Sequence, residues 1–205
     1  KDRIWITVST RHDPRASAYR GDVADGFIIL VDDLGPRLVA DGVGYTNEAM
    51  VDPSGDWLFV NETMARRTSR YQITKDGLGP RETFVEYGAG TFPDGLAFDE
   101  EGAFWMTSVV SNRVIRVTPD RKKHVVIEEN DPELLAEVEK AFQAGQMGRE
   151  HLDNIQTEIM QSISSIGFGG PDLRTAYLGN LLDTKLYTFD SPIAGYAPAH
   201  WGIRL

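Results

Sequence analysis

Leu96-Ala97-Phe98-Asp99-Glu100-Glu101-Gly102-Ala103-Phe104-Trp105-Met106 holds two short apolar runs joined by an acidic turn that closes on glycine. Runs of this length, bounded by turn chemistry, predict paired β-strands. The same phrase stands earlier as Ala49-Met50-Val51-Asp52-Pro53-Ser54-Gly55 with Leu58-Phe59-Val60 after it. It returns, altered, as Ile166-Gly167-Phe168-Gly169-Gly170-Pro171-Asp172 with Ala176-Tyr177-Leu178 after it. A fourth copy of the aromatic-centred strand is Ile4-Trp5-Ile6, preceded only by Lys1-Asp2-Arg3. Each of these strands leads to another: Gly26 to Val31, Ser69 to Ile73, Arg113 to Val117 and Lys185 to Phe189. The central aromatics Trp5, Phe59, Trp105 and Tyr177 lie 54, 46 and 72 residues apart. A multi-strand unit of about 50 residues is the period of propeller blades. The predicted fold class is therefore all-β, a β-propeller of about four blades forming one domain over residues 1–205.

The longer last interval carries an expected helical insertion at residues 131–162. Asp131 can cap a helix with Pro132 at its first position, and Leu134, Val138 and Phe142 then share a face. Gly145 and Gly148 break it. A second helical pattern is read in Leu152, Ile155, Ile159 and Ile163. The insertion is expected either to decorate the propeller or to stand as a lid or contact beside the active face.

Composition narrows the chemistry. The chain has 205 residues, 41% of them hydrophobic, and a net charge of −10. An acidic chain without clustered Lys and Arg is ill suited to track phosphates, so nucleic acid is not an expected partner. With no Cys, disulfides, thiolate zinc sites and cysteine nucleophiles are excluded. No apolar run reaches the roughly 18 residues that span a bilayer, and residues 1–10 lack the layout of a signal peptide. A soluble protein without membrane partners is expected, with the cytoplasm favoured and oligomeric state open.

No zincin helix, P-loop, nucleophile elbow or dinucleotide fingerprint occurs. His12, His124, His151 and His200 are scattered without ligand spacing. Ser108 and Ser111 lack a nucleophile context. What stands out is a pair of polar residues two positions ahead of equivalent strands: Asn47 before Ala49 to Val51, and Asp94 before Leu96 to Phe98. Asn and Asp are common turn residues, but oxygen donors at equivalent places in two blades, facing a shared channel, also suit a hard cation. Thr10, Arg11 and His12 follow the first strand on a polar loop, and Arg11 is a candidate for binding substrate.

Pro93-Asp94-Gly95-Leu96-Ala97-Phe98-Asp99-Glu100-Glu101-Gly102-Ala103-Phe104-Trp105-Met106, followed by Asn112-Arg113-Val114-Ile115-Arg116, resembles the signature of the SMP-30/gluconolactonase (regucalcin-like) family. Asn47 with Val51-Asp52-Pro53-Ser54-Gly55 and Glu62-Thr63 is similar to another of its blades, and Ser164-Ser165-Ile166-Gly167-Phe168-Gly169-Gly170 to a later one. The resemblance implies a six-bladed propeller hydrolysing sugar lactones or related small esters. It implies one divalent metal ion (Ca, Zn, Mg or Mn) held by a Glu, an Asn and an Asp, with the Asp also acting as general base. Carried over, the Asn is Asn47 and the Asp is Asp94. The Glu and a substrate-binding Asn belong to earlier blades, so the resemblance implies the C-terminal two-thirds of a longer protein. Glu48 stands where the family has Gly, adding a carboxylate beside the metal or substrate. The alternatives are a non-enzymatic propeller with a structural Ca²⁺, serving as a binding module, and a propeller hydrolase of the paraoxonase or strictosidine-synthase type.

Overall fold

In the computed structural model, residues 3–155, 157–198 and 201–202 are described. Lys1, Asp2 and His200 lie outside that set. The described residues form four antiparallel sheets, each a meander of consecutive strands. The first contains Ile4–Val8 (β1), Gly26–Asp32 (β2) and Gly35–Val43 (β3). The second contains Thr46–Val51 (β4), Trp57–Glu62 (β5), Arg67–Ile73 (β6) and Leu78–Glu86 (β7). Phe92–Phe98 (β8), Phe104–Val109 (β9), Arg113–Val117 (β10) and Lys123–Glu128 (β11) make the third. Ile163–Gly169 (β12), Thr175–Asn180 (β13) and Tyr187–Asp190 (β14) make the fourth.

The repeated acidic turn has a physical reason in both sheets where it is complete. Asp52 Oδ1 accepts hydrogen bonds from the backbone N–H groups of Asp56 and Trp57 at 3.1 and 2.9 Å. Asp99 Oδ1 does the same for Glu101 and Ala103, both at 3.0 Å. An Asp that satisfies its own turn is a recurrent device, and the closing Gly55 and Gly102 take φ of 80° and 76°, open mainly to glycine. Asp99 does more: its Oδ2 accepts from Trp105 Nε1 at 2.9 Å and Arg116 Nε at 2.7 Å.

The sheets stack face to face, so their strands bury side chains on both faces. Leu58 and Val60 of β5 pack toward the first sheet with Ile28, Val43 and Tyr71. Phe59, between them, points the other way, into a cluster with Leu96, Phe98, Phe104 and Met106 of the third sheet. Trp105 in turn packs with Ile163, Ile166 and Leu178 of the fourth. Phe59 and Trp105, at the centres of two of the repeated strands, thus fasten one sheet to the next, whereas Tyr177 of the fourth sheet is exposed.

Between the third and fourth sheets lies the insertion. Pro132–Gln143 (α1) is capped by Asp131, whose Oδ1 accepts from Glu133 N and Leu134 N. Val138 and Phe142 are buried against Phe92 and Tyr45. Arg66 clamps the helix: its guanidinium is bidentate to Glu139 at 3.0 and 2.7 Å and lies over the rings of Phe142 and Phe92, 3.9 and 4.6 Å from their centroids. Gly90 N adds a 3.0 Å bond to Glu139. Arg66→Ala is expected to cost about 2 kcal/mol, the range for hydrogen bonds to a charged group. Thermal denaturation with limited proteolysis across 131–155 would show it as a lowered midpoint and earlier cleavage.

The second helical pattern is corrected. Glu150–Asp153 (α2) is a single turn; Ile159 is exposed, and Ile163 opens β12 instead. Apolar residues three and four apart also fit a loop followed by a strand with one buried face. Among the described residues no helix is long and apolar enough to cross a membrane.

Candidate active site

Asn47 and Asp94 occupy the same irregularity in two successive sheets. In β4, Thr46 pairs with Glu62 and Ala49 with Val60, so Asn47 and Glu48 together oppose Asn61. In β8, Pro93 pairs with Ser108 and Leu96 with Met106, so Asp94 and Gly95 oppose Thr107. These are β-bulges, which re-aim a side chain out of the regular alternation. The opposing residues pin them. Asn61 Nδ2 donates to the carbonyls of Asp94 and Gly95 at 2.9 and 3.1 Å, and Gly95 N donates to Thr107 Oγ1 at 2.9 Å. Thr68 Oγ1 donates to Asn61 Oδ1 at 2.7 Å and fixes the amide's orientation.

Gly95 of the Pro-Asp-Gly run is required by contact. A Cβ there would stand 2.6 Å from Ser165 Cα, 2.7 Å from Thr107 Oγ1 and 2.8 Å from Ser164 O. Backbone cannot yield cheaply, so Gly95→Ala is expected to destabilise by about 2 kcal/mol, as overpacking does. A urea titration reads this, and a variant as stable as the parent would contradict the packing.

The bulges turn Asn47 and Asp94 into one cavity of about 250 Å³, lined also by Tyr19, Tyr45, Thr63 and Arg15. Asn47 Nδ2 donates to Thr63 Oγ1 at 2.9 Å, and that hydroxyl donates to Pro93 O at 2.8 Å, so the two bulged strands are linked through Thr63. Tyr19 and Tyr45 meet edge to face, centroids 5.5 Å apart. Arg149 and Leu152 of the insertion complete the wall with Ser9, Met64, Val109 and Leu181.

Burial, followed by the nearby charge of Glu48, pushes the Asp94 carboxyl up to about 7; the Asn47 amide and the positive charge of Arg15 act in the opposite direction. Burial also raises Glu48, against the opposing pull of the 2.9 Å hydrogen bond its Oε2 accepts from Leu96 N. The Tyr45 hydroxyl is raised by burial and by Tyr19.

A half-buried carboxylate beside a second one is a poor anion and a good cation ligand. A divalent cation on Asp94 would offset both the desolvation and the repulsion. With the amide oxygen of Asn47 the chain offers two oxygen donors, fitting part of a hard-cation shell whose remainder is commonly water and other oxygens. Among the described residues no group of three His, Asp or Glu side chains is arranged to hold a metal.

Other candidates fall elsewhere. Glu48 does not line the cavity; its carboxylate ties β4 to β8 and acts on Asp94 through charge. Arg11 is not brought to the cavity. It pairs with Asp41 at 2.9 and 3.1 Å, bonds the Asp25 carbonyl and lies over Phe27. Thr10 and His12 are likewise held by Asp25. The loop instead returns through a 3-10 turn, Arg15–Ala18, which carries Arg15 and Tyr19 to the cavity. Thr63 was within reach of sequence reading through the Glu62-Thr63 pair; Arg15, Tyr19, Tyr45 and Arg149 carry no periodic signal.

Comparisons with known proteins agree with this architecture. The family model for the SMP-30/gluconolactonase/LRE-like region matches residues 1–130. A 6-deoxy-6-sulfogluconolactonase from Pseudomonas putida is 29% identical over 145 residues, 69% of this chain and 40% of that protein. A luciferin-regenerating enzyme structure superposes with a TM-score of 0.66 at 14% identity, over 95% of this chain and 60% of its own. Regucalcin from Agrobacterium tumefaciens, a calcium-binding protein, gives 0.61 at 16%, over 94% and 58%. The chain thus spans between 40% and 60% of these relatives' lengths. The matched region includes the bulges at Asn47 and Asp94 and the strands that flank them, and the chain belongs to the SMP-30/gluconolactonase/LRE-like family.

Proposed function

We propose that this chain carries part of the catalytic centre of a sugar-lactone hydrolase, and that its four sheets are blades of a six-bladed propeller. The observation that carries the reading is the convergence of Asn47 and Asp94, from equivalent bulges, on one cavity. The relative named as a sulfogluconolactonase supports a lactone as substrate.

Asn47 and Asp94 would hold the divalent ion (Ca²⁺, Zn²⁺, Mg²⁺ or Mn²⁺) through oxygen. When bound, it supplies Lewis acidity that polarises a carbonyl and lowers the pKa of water. Asp94 accepts the proton of the attacking water. The water oxygen joins the acyl carbon, the ring C–O bond breaks, and the leaving alkoxide takes up a proton to give the open hydroxy acid. Asn47, fixed by Thr63, holds its side chain beside that carboxylate. Thr63, Tyr19 and Tyr45 present hydroxyls and ring edges to a polyhydroxy substrate.

The test is proton release from a panel of 1,4- and 1,5-lactones, glucono-1,5-lactone included, against open-chain esters, with the full-length protein. Turnover of lactones and its loss in Asn47→Ala support the reading. A folded protein that turns over no lactone contradicts it and favours a binding propeller.

A further inference from the structure

We propose that the cavity selects lactones bearing a negatively charged substituent, and that Arg15 and Arg149 are the residues that recognise that charge. The inference rests on the lactonase reading and adds the substrate class.

The chain as a whole is acidic, with 31 Asp and Glu against 21 Lys and Arg. The cavity reverses that balance. Its lining contains one carboxylate, Asp94, committed to the reacting end, and two guanidinium groups, Arg15 without an acidic partner among the described residues and Arg149 paired on one side with Asp153. A neutral sugar lactone needs hydroxyl-directed donors and acceptors, which Asn47, Thr63, Tyr19 and Tyr45 already supply. It has no use for two cations. A carboxylate, phosphate or sulfonate does, because the planar guanidinium fork matches paired oxygens.

The two arginines reach the cavity from separate parts of the chain. Arg15 opens the 3-10 turn Arg15–Ala18. Among the described residues no carboxylate lies within ion-pair distance of it, although its charge is felt at Asp94 and Tyr45. Arg149 lies at the start of α2, where its Nε is held by both oxygens of Asp153 at 2.9 and 2.8 Å. Bonding through Nε fixes the guanidinium plane and leaves the rest of the fork for a ligand. The segment that carries Arg149 is anchored by the buried side chains of Phe142, Met147 and Leu152. The insertion is therefore a wall of the site. The bulged strands supply the reacting end, and the turn and insertion supply the selector.

The experiment measures kcat/KM of the full-length protein on lactones of one ring differing at the exocyclic carbon. The probes are glucono-1,5-lactone, its 6-phosphate, its 6-deoxy-6-sulfonate and a glucarolactone. At least one anionic lactone is expected to exceed the neutral one about tenfold or more, and the arms show which anion is preferred. Arg15→Gln and Arg149→Gln are each expected to lower the anionic-to-neutral ratio about tenfold, chiefly through KM, with partial recovery in the Lys variants. Added salt should erode the preference. An unchanged ratio in both Gln variants overturns the proposal, as does a neutral lactone turned over as well as every anionic one. A uniform fall on all substrates in Arg15→Gln assigns Arg15 to Asp94 instead. Turnover of the neutral lactone alone overturns this inference and leaves the lactonase reading standing, whereas no turnover of any lactone overturns both.

Discussion

Asp94→Asn is expected to lower kcat/KM for a sugar lactone about 10³-fold, within the range attributed to a positioned general base, while the protein stays folded. The amide keeps the size of the side chain and leaves the bulge intact, because the bulge is pinned through the carbonyls of Asp94 and Gly95 and the Gly95 N–H. On the proposed mechanism it removes the acceptor for the water proton and the anionic ligand. It also removes a half-buried charge that Glu48 repels, so in chelator-treated protein the thermal midpoint should stay level or rise. Initial rates and a melting curve on the same preparation check both halves. A variant within tenfold of the parent would remove Asp94 from the chemistry.

The largest effect on stability is expected from Arg67→Ala, about 3–5 kcal/mol. Glu62 is fully buried. Its carboxylate accepts from Arg67 Nε and Nη2 at 2.8 and 2.7 Å, from Gly44 N at 2.7 Å and from Ser69 Oγ. Burial alone would push the carboxyl up, but Arg67, Ser69 and Gly44 together outweigh it and hold the group below its ordinary 4.5. Removing Arg67 takes its two close hydrogen bonds from the buried charge and leaves Arg81 Nη1, 3.6 Å from Glu62 Oε2, as the remaining cation, so the cost belongs at the lower end of that range. The sign with pH follows. A depressed carboxyl contributes stability that is full above about 4.5 and is lost as pH falls through the lower folded value. Urea midpoints should therefore fall on acidification below about pH 4.5 in the parent, and more shallowly in Glu62→Gln. A midpoint in Arg67→Ala close to the parent's would contradict the account.

The inner strands were legible because burial on both faces writes them as continuous apolar runs; Leu58-Phe59-Val60 and Phe104-Trp105-Met106 need no context. The last strands of the first three sheets were not read. β11 is almost wholly exposed, and β3 alternates half-buried with exposed positions, so neither leaves a clear pattern. Ile163 misled because one buried residue fits a helix face or a strand start equally well. Asn47 and Asp94 could be paired from sequence, since a bulge at a fixed place in a repeat leaves polar residues at a fixed distance from the next strand. Arg15 and Arg149 could not. Their positions depend on where a 3-10 turn and an inserted helix dock, and Arg11, which belongs to the same loop, is held away from the cavity by Asp41 and Asp25.

The central claim is that Asn47 and Asp94 form a metal-dependent lactonase centre, and one measurement bears on it most directly. The full-length protein is stripped with EDTA, and the initial rate on its best lactone is followed before and after Ca²⁺, Zn²⁺, Mg²⁺ or Mn²⁺ is returned, beside Asp94→Asn. The account predicts a rate that collapses on chelation, returns with at least one of these ions in the parent, and does not return in the variant. Undiminished turnover in EDTA, or rescue of the variant to the parent's rate, would contradict it.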